Sequence, residues 1–167
     1  NIRIYIYIFF KLWTEFFSWN IQYKYKRDTL DNHGQFGSIY ASATLCSSLL
    51  LIWVGKKIDD INIFRFAVYV TLLLSFSCFF FSKISSIIFL FIAIFLMRFS
   101  GQGMMSHTAT TTVSRYFTKS RGRALSICWF GLSSAEFILP VLMVFLLSLT
   151  TWQNIWTVIA ILILIFL

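Results

Sequence analysis

Long apolar runs separated by short polar segments dominate the chain. The runs cover residues 36–54, 66–81, 87–105, 124–147 and 155–167, and the third is predicted to continue as helix towards Val113. About 20 apolar residues in helical form cross the hydrocarbon core of a bilayer. Backbone groups in lipid must be satisfied within helices or a closed barrel. Because these runs lack the alternation of barrel strands, the pattern predicts an all-α polytopic membrane protein.

The polar segments alternate in charge along the chain. Residues 55–65 and 114–123 are basic, carrying Lys56, Lys57, Arg65, Arg115, Lys119, Arg121 and Arg123. The segment 82–86 has only Lys83, and 147–154 has no basic residue. The positive-inside rule therefore predicts that the two basic segments lie in the cytoplasm. The expected location is a plasma membrane or a bacterial inner membrane.

Composition excludes several classes of protein. The chain is 59% hydrophobic and 12% charged, about half the charged fraction of a soluble domain. The net charge of +8 falls in clusters between apolar runs, which indicates membrane orientation rather than nucleic-acid binding. Cys46, Cys78 and Cys128 lie in different apolar runs, so we expect buried thiols without disulfide or metal chemistry. No Walker loop or hydrolase motif is present, and no enzyme activity or cofactor is predicted.

The N-terminal segment 1–33 is irregular. Its apolar stretch is interrupted by Arg3, Lys11 and Glu15, and a basic cluster follows at residues 24–27. Two interpretations are open: a ragged first helix, or a helix degraded by a shifted reading frame within residues 12–27, which the coding DNA would decide. The chain begins without Met and ends inside an apolar run that is too short to span a bilayer. We therefore expect a truncated sequence whose last helix is incomplete.

Arg98 lies in the middle of an apolar run, where a cation costs at least ~2.5–3.5 kcal/mol. Glu136 lies at a similar depth in the next run, about 20 Å from Arg123 at the 1.5 Å rise of an α-helix. We expect the two to meet, with Gln102 nearby, either as a substrate or ion-coupling site or as a structural ion pair. His107 is either a proton shuttle or a packed, hydrogen-bonded histidine.

Two segments resemble the major facilitator superfamily. Gly55 and Asp59, followed by a displaced Arg65, are similar to its Gly-x-x-x-Asp-Arg-x-Gly-Arg-Arg loop between helices two and three. The alternative is an ordinary polar turn. Arg98, Gly101 and Gly103 resemble the helix-four pattern Arg-x-x-x-Gly-x-Gly, with the first glycine, and with it the second, one position early.

A third segment resembles one branch of that superfamily. Residues 116–124 are similar to the Tyr-Phe-x-Lys-x-Arg-Gly-x-Ala motif of the monocarboxylate and oxalate/formate transporters, and Gly131 and Pro140 follow as in that branch. The basic side chains there are expected to contact anionic headgroups. Pro140 is expected to interrupt the hydrogen-bond ladder of its helix near a cavity.

The resemblance covers residues 36–167 and implies helices two to six of a six-helix N-terminal half, with residues 34–167 as its transmembrane part. It implies a secondary transporter, a symporter or antiporter, that moves a small organic anion with a proton or other coupling ion. The missing C-terminal half would complete the site. The resemblance implies a conformational or gating role in the loops for Gly55, Asp59, Arg65 and Arg121. It implies a role in helix packing for Gly101, Gly103, Gly131 and Pro140. Alternatives are a non-transporting membrane subunit and a lipid-acting enzyme.

Overall fold

The computed structural model describes residues 33–165 and 167, except for some side chains that include those of Asp59, Glu136 and Pro140. The expectations for residues 1–32, including a degraded or frameshifted first helix, lie outside the described residues. All regular secondary structure within the described part is helical. The prediction of an all-α protein is therefore confirmed.

The helices follow one another with short connections. In chain order they are α1 (His33–Gly55), α2 (Lys57–Asp60), α3 (Ile63–Ser82), α4 (Ile87–Met97), a π segment (Arg98–Met105), α5 (Ser106–Tyr116), α6 (Arg121–Leu149) and α7 (Trp152–Ile165). α4, the π segment and α5 form one continuous helix of 30 residues, Ile87–Tyr116, which we call the long helix. Gly37–Gly55, Ile63–Ser82 and the long helix are each long and apolar enough to cross a membrane.

Several helix boundaries differ from those that hydropathy predicts. α3 begins three residues before the apolar run, because the Asn62 side chain caps it by accepting a hydrogen bond from the Phe64 amide at 2.9 Å. The predicted loop 114–123 is wrong, since only residues 117–120 lie between α5 and α6. Hydropathy marks where lipid ends, whereas a helix continues through polar residues into the headgroup region.

Contacts between helices set the topology. α1 and the long helix run parallel, since Leu51 lies against Gly103 and Gly55 against His107. α3 and α7 run antiparallel. Their contacts include the Ser75 hydroxyl, which donates to the Ala160 carbonyl at 2.8 Å. The connections that follow α1 and α5 therefore lie at one end of the bundle, which carries the basic residues, in agreement with the loop-charge pattern.

The tightest packing lies between α3 and α7. Phe81 and Trp156 are buried with their ring centroids 4.8 Å apart, and Cys78 is buried in the same core. By contrast, Cys128 is half-buried and Cys46 is exposed on α1. The expectation of a buried thiol is thus right for Cys78 and wrong for Cys46, because an apolar run marks contact with lipid as readily as contact with protein.

Small residues allow α1 to approach the long helix closely. A Cβ atom at Gly103 would lie 3.2 Å from Leu51 Cδ2 and 3.3 Å from Leu51 Cδ1, closer than ordinary contact. On α1 itself, Ala43 and Ser47 are buried. Without a hydrophobic force between helices in lipid, such small-residue contacts supply the packing that holds helices together.

This packing predicts different effects of the same substitution at two glycines. Gly103→Leu should lower the free energy of unfolding by about 1–3 kcal/mol, because added bulk must displace Leu51. Gly37→Leu should have little effect, since nothing lies within 4 Å of a Cβ there. Unfolding of the purified protein in mixed micelles measures both, and equal destabilisation would contradict the close approach.

Candidate functional site

Arg98 opens the π segment in the interior of the long helix. It lies 11 residues from the helix start at Ile87, or about 16 Å along the axis at 1.5 Å per residue. That depth is close to the centre of a hydrocarbon core about 30 Å thick. π-helical turns are rare, and those that do occur frequently lie at functional sites. A cation and an irregular helical segment thus coincide at membrane depth.

Two side chains hold the Arg98 guanidinium. Its Cζ atom lies 4.4 Å from the ring centroid of Tyr40 on α1, in cation–π geometry. Its Nη1 donates a hydrogen bond to Gln102 Oε1 one turn further along the same helix. All three residues are half-buried. The guanidinium is therefore oriented by a ring on α1 and by an amide on its own helix.

This arrangement can recognise an anion. A guanidinium presents five donors in a planar fork that matches the two oxygens of a carboxylate. Hydrogen bonds to an ionised group are stronger than neutral ones, and the low dielectric of the membrane interior increases the attraction. Tyr40 and Gln102 restrict the motion of the fork, so that less entropy is lost when a ligand binds.

Tyr40 was not among the residues predicted from the sequence. It is one of several aromatic residues in or next to an apolar run, and nothing in its own neighbourhood sets it apart from a lipid-facing side chain. Its role depends on which face of α1 meets the long helix. The pairing of Leu51 with Gly103 in three dimensions provides that information.

Glu136, the predicted partner of Arg98, lies in α6. Its side chain is outside those that the structure describes. The principal packing contacts of α6 are with α5 and α7. The Arg98–Glu136 pair therefore stays a prediction.

His107 lies at the basic end of the bundle, away from Arg98. Its Nε2 is 3.1 Å from the carbonyl oxygen of Gly55, the last residue of α1. The last carbonyls of a helix have no partner within that helix, so an imidazole N–H can satisfy one of them. This contact matches the packed, hydrogen-bonded interpretation of His107. The structure does not bring His107 together with Arg98 and Gln102.

The remaining predicted residues are spread over two regions. Arg65 and Arg121 are exposed near the starts of α3 and α6, at the basic end, and Asp59 lies in α2 with its side chain not described. Gly101 is buried in the π segment, and Gly131 is half-buried in α6. α6 continues as helix through Pro140. Among the described residues, no group of three His, Cys, Asp or Glu side chains could hold a metal ion.

Comparison with known proteins gives one match. The family model described as Major Facilitator Superfamily matches residues 4–167, nearly the whole chain. No curated protein and no solved structure matches the chain. The match supports the wider resemblance seen in the sequence, and the monocarboxylate and oxalate/formate branch stays a prediction.

The stacking of Arg98 on Tyr40 can be tested by replacing the ring. Tyr40→Phe keeps an aromatic face under the guanidinium and Tyr40→Leu removes it. The Phe variant should be more stable than the Leu variant by about 0.5–2 kcal/mol, the range for a cation–π contact. Chemical unfolding in micelles measures the difference. Equal stability of the two variants would show that the ring contributes nothing to holding the cation.

Proposed function

Because the chain belongs to the Major Facilitator Superfamily of membrane transporters, we propose that it is a secondary active transporter for a small organic anion, a monocarboxylate in particular. The observation that carries this proposal is Arg98, held half-buried at membrane depth by Tyr40 and Gln102. Ionisable residues within membrane helices face the bundle interior or a water-filled cavity and mark transport routes. A cation at such a place favours an anionic substrate.

The segment that joins α5 and α6 supports the choice of a monocarboxylate. Tyr116, Phe117, Lys119 and Arg121 match the transporter motif of that branch, and all four are exposed at the basic end. The positive charges of Lys119 and Arg121 would concentrate anions near the opening of a transport route on that side. The motif and the intramembrane arginine therefore favour the same class of substrate.

Charge neutralisation gives Arg98 a role in alternating access. A guanidinium with no anion keeps water around it, and removing that water on closure is costly. A bound carboxylate forms a neutral pair with the guanidinium, so that the helices can close around the complex from either side. In this mechanism the substrate binds between these helices and a second, C-terminal half, and after release of the anion the guanidinium again needs water or ionised Glu136.

Glu136 is proposed as the coupling group. Protonation of its carboxylate would remove a negative charge that competes with the substrate for Arg98. Uptake of the anion together with a proton would then be favoured, since both states of the site remain close to neutral. The direction of transport follows from the gradients that the intact protein encounters.

A non-transporting membrane subunit is the second candidate. The contacts of Arg98 with Tyr40 and Gln102 link α1 to the long helix, and a structural ion pair would make the same contacts. The two candidates differ in whether Arg98 affects uptake of a substrate.

Uptake of labelled monocarboxylates into proteoliposomes containing the intact protein tests Arg98. Arg98→Ala should lower kcat/KM by at least about 30-fold, since truncating one partner of a buried charge pair costs about 2–5 kcal/mol. Arg98→Lys should recover part of the loss, because lysine keeps the charge without the planar fork. Lys83→Ala, at an exposed cation on the opposite side, is the matched control. Unchanged uptake by Arg98→Ala would remove the anion site from the mechanism.

The coupling role of Glu136 has a separate readout. Glu136→Gln should retain exchange of carboxylate across the membrane but lose the acceleration of net uptake by an inward proton gradient. The amide has the size of the acid and cannot release a proton. Measuring uptake at matched concentrations with and without the gradient decides the point. A variant that still responds fully to the gradient would assign coupling to another group.

A further inference from the structure

Polar side chains recur every four residues along the long helix from Arg98 onwards. They are Arg98, Gln102, Ser106 and Thr110, and all four are half-buried. We call this set the polar track. It leads from the depth of Arg98 to the basic end of the bundle, where Arg115 is exposed. Polar groups at membrane depth are tolerated where they are buried in protein or line a water-filled cavity.

A regular α-helix would not keep these four residues on one face. At 100° per residue, Thr110 would point about 120° away from Arg98. The π segment spans Arg98–Met105, and a π-helix has about 4.4 residues per turn, or about 82° per residue. With that twist over the segment, all four residues fall within an arc of about 65°. The π segment therefore aligns the track.

The neighbouring faces of the long helix are already occupied by protein. Gly103 lies against Leu51 on α1, and the Ser100 hydroxyl is 3.2 Å from that of Ser77 on α3. The principal contacts of the π segment with helices outside the long helix are with these two helices. Beyond Arg98 the track points beside the residues that make them. Ser106 and Thr110 lie in α5, whose principal contacts with other helices are with α6 and α3. Both residues stay half-buried, so these contacts leave the track partly accessible to line a passage.

Ser106 is the member of the track whose hydrogen bonding is incomplete. Its Oγ is buried and has no hydrogen-bond partner among the described residues. By contrast, the hydroxyls of Thr108 and Thr112 donate to backbone carbonyls one turn back, at 2.7 and 2.6 Å. A buried hydroxyl without a partner is costly, and a water molecule or a substrate oxygen in the passage would satisfy it.

We propose that the π segment aligns Arg98, Gln102, Ser106 and Thr110 into a hydrated track along which the anion moves between Arg98 and the basic end of the bundle. The proposal rests on the proposed function. Arg98 binds the carboxylate, Gln102 orients the guanidinium, and the Ser106 hydroxyl provides the next donor towards Arg115. If the segment became α-helical, Thr110 would rotate to about 120° from Arg98 and the track would no longer reach the basic end on one face of the helix.

The rate at which introduced cysteines react with a charged, membrane-impermeant methanethiosulfonate reports access to water, because only the thiolate reacts. The intact protein with Cys46, Cys78 and Cys128 replaced by serine provides the background. The reagent is added on the side of the basic loops. Ser106→Cys and Thr110→Cys are the test positions.

Two controls are matched to Thr110→Cys. Thr112→Cys replaces the same residue type, also half-buried and also bonded to the carbonyl one turn back, on the other side of the helix. Ala109→Cys is sensitive to the register. It would point about 20° from Arg98 in a continuous α-helix but about 120° away with the π segment. Complete labelling after denaturation confirms that each thiol is intact.

We expect Ser106→Cys and Thr110→Cys to react at least about 10-fold faster than both controls. Equal rates at all four positions, or faster reaction at Ala109→Cys than at Thr110→Cys, would overturn the proposal. These rates require no knowledge of the substrate. If they follow the track while Arg98→Ala transports normally, the proposed anion site fails and the track stands. If Arg98→Ala abolishes uptake while Ala109→Cys reacts fastest, only the track fails.

Discussion

The Arg98 guanidinium lies where bulk water is excluded, and the helices around it must compensate for the hydration that it loses. A cation at the depth of Arg98 costs at least ~2.5–3.5 kcal/mol in a helix facing lipid, so it must be supported by protein or water. Tyr40 and Gln102 provide that support. Tyr40 reaches the cation because α1 lies close to the long helix, and the glycine at position 103 permits that approach.

The helices around this site form two groups with different packing. α3 packs against α7, α4 and the π segment, and serine hydroxyls connect it to Ala160 on α7 and to Ser100 on the long helix. α6 makes its principal contacts at α5 and α7 and leaves many large apolar side chains exposed. α1, which supplies Tyr40 to Arg98, packs against α4 and the π segment of the long helix. Helix α6, which carries Glu136, is attached more loosely and is free to meet lipid or a second bundle.

Much of the fold could be predicted from the sequence, because the bilayer imposes simple rules on length, hydropathy and loop charge. Arg98 could also be identified, since an isolated cation in an apolar run has few explanations. Its partner Tyr40 and the π segment could not, because both depend on how one helix face meets another. Hydropathy likewise did not define the start of α3 or the end of α5, and it led to the wrong expectation that Cys46 is buried in the protein. The Arg98–Glu136 pair and the transporter branch stay predictions.

In the proposed mechanism Arg98 binds an anion rather than holding helices together. Thermal unfolding of wild type and Arg98→Met, each with and without a saturating monocarboxylate, tests this most directly. Methionine removes the desolvated charge and keeps an apolar stem. We expect the carboxylate to raise the Tm of wild type but not of the variant, and the ligand-free variant to be at least as stable as wild type. A ligand-free variant that is strongly destabilised, together with an unchanged response to carboxylate, would contradict the proposed mechanism.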